Sequence, residues 1–336
     1  MPLHLTPANA ELFFSRNDAS DPRFGDVVQR IAADIGIDDI TLANPDADRQ
    51  SPLIAIIGVP QDIGVERNGG RVGASEAPDA IRRWLYRMST YDIETARSIA
   101  TGAVIDLGNI NCDGSLEDIH ERLSAVVETV CKHGVVPVVL GGGHDITYAT
   151  ITGAARAVGA VGVVNIDAHL DVRPVVTERN SGTPFRMLID EGMLVPTSFI
   201  ELGIQSFANA AEHARWLLER GGRIITLDEI RVRGFAKTFS TAWQSVSTGE
   251  QHVYGSLDID GVRSADAPGV SASMPDGLSA EDLLHAARQL GRKSATVGLD
   301  IVEVNPKYDR DNITAKLAAH AVARFVTGVA TRNIPA

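Results

Sequence analysis

The sequence predicts an α/β fold in which helices cover both faces of a mostly parallel sheet of about eight strands. From residue 53 onward, short runs rich in Val, Ile and Leu alternate with longer segments of helical period, which is typical of parallel strands joined by helices. The 336 residues are 44% hydrophobic and 22% charged, as in an ordinary globular protein with ample material for a core. No linker rich in Pro or Ser, internal repeat or low-complexity tract divides the chain.

The predicted strands occur at intervals along most of the chain. They are Leu53–Val59, Ala103–Leu107, Val135–Leu140, Val161–Ile166, Phe199–Ile204, Arg223–Leu227, His252–Leu257 and Ala295–Leu299. Pro78 indicates the first turn of a helix ahead of Ala80–Met88. Ser115 and Ser279 each precede an acidic residue by three positions, close to the capping-box pattern. The helix after Ser115 is expected to end at Gly134.

We expect a single catalytic domain over residues 51–336, with residues 1–50 as an N-terminal extension packed on it. The net charge of −12 and the lack of a stretch rich in Lys and Arg argue against nucleic acid and anionic membranes as partners. The apolar runs are far shorter than the ~18 to 20 residues that cross a bilayer. No secretion signal is predicted, so a cytoplasmic location is expected. Cys112 and Cys131 form no C-x-x-C pair and are expected to be reduced thiols.

Three predicted strands end in polar residues, at the edge where open parallel sheets bind their ligands. One strand is followed by three glycines and His144, and the glycines would let the backbone turn sharply and bring this imidazole over the sheet. Alone, such a histidine is more often a helix-start or core residue. The next strand leads into Asp167, His169 and Asp171 at alternate positions. Extended backbone has a period of two, so these three side chains are predicted to share one face.

Asp258 and Asp260 follow a third strand with the same spacing. Carboxylates gathered at the end of an apolar strand repel one another and are costly to desolvate unless a cation neutralises them. A solvated acidic loop is the simpler interpretation of any one strand end, but three such ends together favour a metal site. Six ligands exceed the need of one catalytic ion, whereas two ions ~3.5 to 4 Å apart would use them all. Carboxylates and imidazoles without thiolates suit Mn²⁺, and we predict two per subunit.

The motifs GGGHD, DAHLD, SLDID and LDIVEVNP, in this order, resemble those of the ureohydrolase family, which includes arginase, agmatinase and formimidoylglutamase. The resemblance covers roughly residues 55 to 328 and implies that family's three-layer αβα fold, called arginase-like. It implies that His144 and Asp167 hold one manganese ion and that His169 and Asp260 hold the other. Under the same resemblance, Asp171 and Asp258 look like the bridging carboxylates.

The resemblance also implies two catalytic residues. Asp171 matches the aspartate that orients the attacking hydroxide and then passes a proton to the departing nitrogen. Glu303 matches the glutamate that contacts the cationic amidine of the substrate. From the residues alone, an acid at another strand's end could pair with such a cation.

Within the family, the segment from Gly64 to Ala74 and the SGTPF motif that begins at Ser181 look like those of formimidoylglutamases. Arginases usually carry a histidine at the position of Ser181, so arginase activity is not expected. The resemblance implies hydrolysis of N-formimino-L-glutamate to L-glutamate and formamide, a step of histidine degradation. Asp145 departs from the pattern, because formimidoylglutamases often have Glu there.

This substrate has two carboxylates and one amidinium, so its pocket should offer cationic donors. Arg71 is the first candidate, and Asn68, Ser181 and Glu303 are further predicted substrate contacts. The other arginines near the motifs are Arg67, Arg173 and Arg186.

Other functions remain as alternatives. Inside the family, the alternative is a guanidino-substrate hydrolase that releases urea. Metallophosphoesterases use similar segments in another order and with a G-H-x-H that this chain lacks, and a Rossmann dehydrogenase would need a G-x-G-x-x-G after the first strand. A metal-bound structural subunit is the non-enzyme alternative. Related enzymes form trimers or hexamers, so a homo-oligomer is expected. The histidines assigned to structure or surface are His4, His120, His133, His213, His252, His285 and His320.

Overall fold

The structure is a computed structural model, and it describes residues 5–31, 52–247 and 252–332. His4 and residues 32–50 of the predicted extension lie outside the described residues. The strands are β1 (Leu5–Thr6), β2 (Gln29–Arg30), β3 (Ile54–Gly58), β4 (Tyr91–Asp92), β5 (Arg97–Ser98), β6 (Val104–Ile110), β7 (Val136–Leu140), β8 (Val161–Ile166), β9 (Leu194–Ile204), β10 (Arg223–Thr226), β11 (Val253–Asp258) and β12 (Thr296–Val302).

Helices connect most of these strands. The α-helices are α1 (Phe24–Val27), α2 (Ile63–Arg67), α3 (Ala77–Leu85), α4 (Leu116–Lys132), α5 (Ile146–Val158), α6 (Pro184–Asp190), α7 (Ala211–Glu219), α8 (Leu227–Arg233), α9 (Phe235–Val246), α10 (Ala280–Arg292) and α11 (Ile313–Ala330). Within the described ranges, none of them is long and apolar enough to cross a membrane.

Ten of the described strands form one sheet in the order β1-β6-β3-β7-β12-β11-β8-β9-β10, with β2 also paired to β6. Every pairing in this sheet is parallel except that of β1 with β6. All eight predicted strands are present as β3 and β6 to β12, which confirms the predicted α/β class. β1 and β2 were not predicted, because two residues carry no periodicity. They come from the segment predicted as an extension, whose boundary stays a prediction.

The two faces of the sheet carry two separate hydrophobic cores. Along β3, Ile54 and Ile56 point into one core and Ala55 and Ile57 into the other, as the period of two requires. The first core is closed by residues of α3, α9, α10 and α11. The second is closed by residues of α4, α5, α6 and α7. The chain therefore has the three-layer αβα architecture, with the strands buried on both sides.

The helix boundaries follow the predicted signals. Ser115 caps α4 and Ser279 caps α10, and each forms a reciprocal capping box with the acidic residue three positions on. Gly134 follows α4 with a φ of 69°, the left-handed conformation that ends many helices. The helix predicted over Ala80–Met88 is α3, which begins at Ala77 so that Pro78 lies in its first turn.

A buried ion pair ties α3 to β6. Arg82 donates through Nε and Nη2 to the two oxygens of Asp106, at 2.8 and 2.9 Å, and both side chains are fully buried. The hydroxyl of Tyr86 also donates to Asp106. This pair fixes the position of α3 against β6, which lies next to the β1 edge of the sheet.

The strand register brings the site residues together. In the sheet, Leu140 lies beside Ile301, Ile301 beside Leu257, and Leu257 beside Ile166. These four residues form one row across β7, β12, β11 and β8, near the carboxyl ends of all four strands. The polar segments that leave this row therefore begin at the same height, although they are far apart in the sequence.

Candidate metal centre

The six side chains predicted as metal ligands lie together above this row. They form two groups whose potential ligand atoms lie within 4.8 Å of one another, namely His144, Asp167, Asp171 and Asp258 in the first group and Asp167, His169 and Asp260 in the second. Asp167 belongs to both groups. The structure thus brings together every residue of the predicted ligand set.

Nδ1 of His144 is the centre of the first group. Carboxylate oxygens of Asp167, Asp171 and Asp258 lie 3.1, 2.9 and 3.1 Å from this nitrogen. The nitrogen is buried and has no well-directed hydrogen-bond partner among the described residues. One N–H could serve only one of three oxygens, whereas a divalent cation among them would interact with all four atoms. The donor set of imidazole and carboxylates, without sulfur, suits Mn²⁺ and related ions.

Nδ1 of His169 is the centre of the second group. It lies 3.1 Å from Oδ2 of Asp260 and 3.5 Å from Oδ1 of Asp167. Asp167 therefore presents one oxygen to each imidazole. The family resemblance implies Asp171 and Asp258 as the bridging pair, but in the structure both of these carboxylates belong to the first group alone. Asp167 is the carboxylate that faces both groups, because its two oxygens point in the two directions.

The clustered charges perturb one another strongly. Burial, together with the nearby charge of Asp260, raises the pKa of Asp258 well above its usual range. The charge of Asp260 is also the main reason that the pKa of His169 is raised. Burial would lower the pKa of His144, but the close approach of the surrounding carboxylates to its Nδ1 raises the pKa well above its ordinary value. Without a metal, the cluster must hold protons to limit its repulsion, which is the behaviour of a cation site.

A chain of hydrogen bonds orients the His144 ring through Nε2, the nitrogen that does not face the carboxylates. Its Nε2 lies 3.1 Å from Oγ of Ser256, and that hydroxyl donates to Oδ1 of Asp300 at 2.6 Å. Thr147 and Thr150 donate to the other oxygen of Asp300, at 3.1 and 2.8 Å. With the Ser256 hydroxyl donating to Asp300, Nε2 of His144 carries the proton that Oγ accepts. Deprotonation of this imidazole therefore takes place at Nδ1, whose lone pair then becomes available to a metal ion.

Two buried residues, Asn165 and Glu201, lie beside Asp167. Asn165 donates to Oδ2 of Asp167 at 3.3 Å and to Oε2 of Glu201 at 2.8 Å. Burial, reinforced by the charge of Asp167, raises the pKa of Glu201 well above its usual range. The two acids therefore share one amide group.

Two residues of the site have left-handed backbone conformations. Asp171 has a φ of 46° and Glu303 a φ of 63°, which residues other than glycine adopt only at a cost of order 1–3 kcal/mol. Glu303 accepts a hydrogen bond from the backbone N–H of His144 at 3.0 Å. Burial and the nearby charge of Asp260 raise the pKa of Glu303 to about 8. Such strain at both acids marks positions where the side-chain direction matters more than local stability.

The three glycines before His144 act differently from the expectation. None of Gly141, Gly142 and Gly143 has a positive φ, so no sharp left-handed turn occurs there. They are needed for close packing, because a Cβ on Gly142 would lie 2.1 Å from the carbonyl oxygen of Gln61. A Cβ on Gly143 would lie 2.5 Å from Val65. The segment thus passes close to the end of β3 and the start of α2.

A pocket of about 470 Å³ opens beside the two groups. Each of the predicted substrate contacts, Asn68, Arg71, Ser181 and Glu303, lies in its wall. Asn68 donates to Oγ of Ser181 at 3.0 Å. Arg71 donates to the carbonyl oxygens of Ser271 and Val270, and its guanidinium lies 4.1 Å from the centre of the Tyr308 ring.

Of the other candidate arginines, only Arg173 lines the pocket. Its side chain passes over Gly182, where a Cβ would lie 2.8 Å from Cδ of Arg173. Arg67 instead pairs with Glu117 and Glu178 outside the pocket. Arg186 pairs with Asp190 and stacks on the ring of Trp216. These two arginines are therefore held away from the cluster by acidic and aromatic partners.

Several residues of the site were not predicted. His213 lies in the pocket wall, although the sequence assigned it to structure or surface. Asn209 also lines the pocket, and Ser256 and Asp300 lie behind the cluster. Ser256 could have been found, because it stands two positions before Asp258 on the same face of a strand. His213 and Asn209 follow β9, which had no polar motif to draw attention to it.

Comparison with known proteins gives consistent results. The arginase family matches residues 53–328. A formimidoylglutamase from Halalkalibacterium halodurans is 33% identical over 268 residues, which is 78% of this chain and 83% of that protein. The crystal structure of Trypanosoma cruzi formiminoglutamase with Mn²⁺ is 32% identical, with a TM-score of 0.82 over 93% of this chain and 99% of that one. The proclavaminate amidino hydrolase of Streptomyces clavuligerus is 29% identical, with a TM-score of 0.76 over 84% and 94% of the two chains.

Proposed function

This chain belongs to the arginase family, and from that premise we propose that it hydrolyses N-formimino-L-glutamate to L-glutamate and formamide with two divalent cations, preferably Mn²⁺. The observation that carries the proposal is the distribution of charge in the pocket. The residues that line the pocket include the acids Asp171, Asp258, Asp260 and Glu303. The lining also includes Arg71 and Arg173, and neither guanidinium pairs with a carboxylate of the described residues. A substrate that carries one amidinium and two carboxylates complements this combination of acidic and cationic side chains.

The two groups of side chains would each hold one cation, with Asp167 shared between them. When bound, two such ions supply Lewis acidity and lower the pKa of a water molecule, so that hydrolysis proceeds near neutral pH. The similarity of this chain to the T. cruzi formiminoglutamase, whose crystal structure contains Mn²⁺, supports this assignment. The ligand roles of the six residues remain a proposal.

The residues of the chain then have separate roles. Glu303, which lines the pocket, orients the amidinium by a charge-assisted hydrogen bond and thereby presents the formimino carbon to water. Asp171 accepts the proton that water loses and delivers it to the nitrogen of the glutamate moiety. Water adds to the formimino carbon, the bond from that carbon to the glutamate nitrogen breaks, and the two products are formamide and L-glutamate. If Asp171→Asn kept both metals and near-full turnover, this proton-transfer role would be wrong.

A guanidino substrate is the second candidate, because the S. clavuligerus structure belongs to an amidino hydrolase. Ser181 stands where arginases usually have a histidine, which argues against arginine itself. The arginines of the pocket wall also disfavour agmatine, whose distal end is cationic. A guanidino acid with one carboxylate remains compatible with the pocket.

The test is a product assay with purified, Mn²⁺-loaded protein. Formamide and urea are measured with formiminoglutamate, guanidinobutyrate, agmatine and arginine as separate substrates. We expect formamide from formiminoglutamate at a kcat/KM at least tenfold above that for any urea-releasing substrate. Urea as the main product would replace the proposal by the guanidino alternative, and turnover of none of the four would favour a metal-bound structural subunit. Light scattering of the same sample tests the predicted homo-oligomer.

A further inference from the structure

We propose that Asn209 is a positioning residue that holds His169 in place by binding the peptide groups on both sides of it. The inference rests on the proposed function, because it concerns how one of the two metal groups keeps its shape. Asn209 contacts the backbone of the two residues next to His169, namely Ala168 and Leu170.

The segment around His169 lies beyond the end of β8. β8 ends at Ile166, and the residues that follow form no regular secondary structure. The side chain of His169 is 25% exposed, the most exposed of the six proposed ligands. Its own backbone N–H donates to Oδ1 of Asp167 at 2.7 Å, so this group is already used. The orientation of His169 therefore depends on its neighbours.

Asn209 bonds to both of those neighbours. Its Oδ1 accepts from the N–H of Leu170 at 2.8 Å, and its Nδ2 donates to the carbonyl of Ala168 at 3.0 Å. A side-chain amide has one acceptor and one donor group at the spacing of a peptide group, so it can pair with backbone as a strand does. One side chain thus holds the two peptide groups that flank His169.

These bonds continue the pairing of β8 with β9 beyond the ends of the strands. Ile166 pairs with Leu202 in the last regular register position. Past it, the N–H of Gln205 donates to the carbonyl of Ala168 at 3.1 Å, and Asn209 follows four residues later. Between them, Phe207 has a φ of 65°, a left-handed conformation that turns the loop back toward His169. The loop after β9 therefore binds the backbone that follows β8, as a continued β9 strand would.

The test uses full-length protein stripped of metal and titrated with Mn²⁺, with calorimetry for affinity and electron paramagnetic resonance for spin coupling between two ions. Removal of partners outside the ligand set commonly weakens metal affinity about 10- to 100-fold. We expect Asn209→Ala to bind one ion as wild type does and the second at least tenfold more weakly, with loss of the coupled signal at two equivalents. The matched control is Ser206→Ala, an exposed position in the same loop, which should bind both ions as wild type does.

The outcomes separate this inference from the proposed function. If wild type binds two ions and Asn209→Ala binds both equally well, or loses both to the same extent, the inference is overturned while the proposed function stands. If wild type itself binds no Mn²⁺, the proposed function fails. Should Asn209→Ala not fold, Asn209→Asp decides the question, because it keeps the acceptor for Leu170 and loses the donor to Ala168. Weaker second binding despite its added negative charge supports the inference, and unchanged or tighter binding overturns it.

Discussion

Ser256 holds Nε2 of His144 and thereby leaves Nδ1 available to a metal ion. We expect Ser256→Ala to weaken Mn²⁺ binding in the first group by about 10- to 100-fold, because the ring loses the partner that fixes its proton and its direction. The second group should be affected much less. Calorimetric titration of the metal-free protein measures both affinities.

Ser245→Ala is a suitable control for this variant, because the only partner of the Ser245 hydroxyl in the described part of the chain is the carbonyl of Ala242 in α9, away from the pocket. Unchanged affinity of both sites in Ser256→Ala would show that Ser256 does not act through His144.

Arg173 is the residue on which the preference for a dicarboxylate should depend. A charge-assisted hydrogen bond contributes about 1.5–3 kcal/mol, so Arg173→Gln should raise KM for formiminoglutamate about tenfold or more with little change in kcat. A substrate with a formimino group and only one carboxylate should be affected less. Steady-state kinetics on both substrates measures the difference.

The control for Arg173→Gln is Arg83→Gln, which removes the same charge from an exposed position on α3. An equal rise in KM for both substrates, or in both variants, would assign the effect to general electrostatic attraction instead of a specific contact.

At the scale of single residues, the sequence predicted those site residues that can be recognised from the spacing of polar residues within one short segment. Asp167, His169 and Asp171 could be found because alternate spacing after an apolar run is visible in one short segment. Asp300 and Asn209 could not be found, because their importance comes from side chains or peptide groups that are distant in the sequence. The candidate arginines could only be narrowed to Arg71 and Arg173 once the partners of the others were known.

At the scale of elements, α3 and β6 are joined by the buried pair of Arg82 and Asp106. Asp106→Asn should lower the free energy of unfolding by about 3–5 kcal/mol, because it leaves the buried guanidinium without its counter-charge. Asp79 is a matched control, since it lies 3.7 Å from the same arginine but its side chain is 49% exposed. Asp79→Asn should cost no more than about 1 kcal/mol. Urea unfolding of the three proteins measures these differences, and equal stabilities of the two variants would contradict the assignment.

The elements themselves were predictable to the extent that they bury apolar runs. β3, β7 and β8 lie within one residue of their predicted bounds, because each is fully buried and consists mainly of apolar residues. β9 begins five residues earlier than predicted, at Leu194, where the chain is only partly buried and its side chains are mixed. β4 and β5 are two residues each and form a separate hairpin that no pattern indicated.

At the scale of the whole molecule, metal removal should lower thermal stability. A ligand that binds only the folded state stabilises it by RT ln(1 + [L]/Kd), about 2.7 kcal/mol at one hundred times Kd. The two imidazoles have raised pKa values in the metal-free protein, so they carry protons near neutral pH and each cation must displace them. The rise of Tm with Mn²⁺ should therefore be larger at pH 8 than at pH 6.

Differential scanning calorimetry with excess Mn²⁺ and with a chelator measures this difference at each pH. His169→Ala should show a smaller metal-dependent rise at both values. A rise in Tm that is the same at pH 6 and pH 8 would contradict the displacement of protons from the two imidazoles.

The position of β12 in the sheet has a consequence for protein synthesis. This strand is the last of the described strands in the sequence, yet it lies between β7, which leads to His144, and β11, which leads to Asp258. A nascent chain that already contains all six proposed ligands, the last of which is Asp260, therefore keeps them apart until residues 296–302 have left the ribosome and β12 has entered the sheet. We therefore expect cation capture to follow the insertion of β12, and a ribosome-stalled chain that ends before Thr296 should leave the centre unformed.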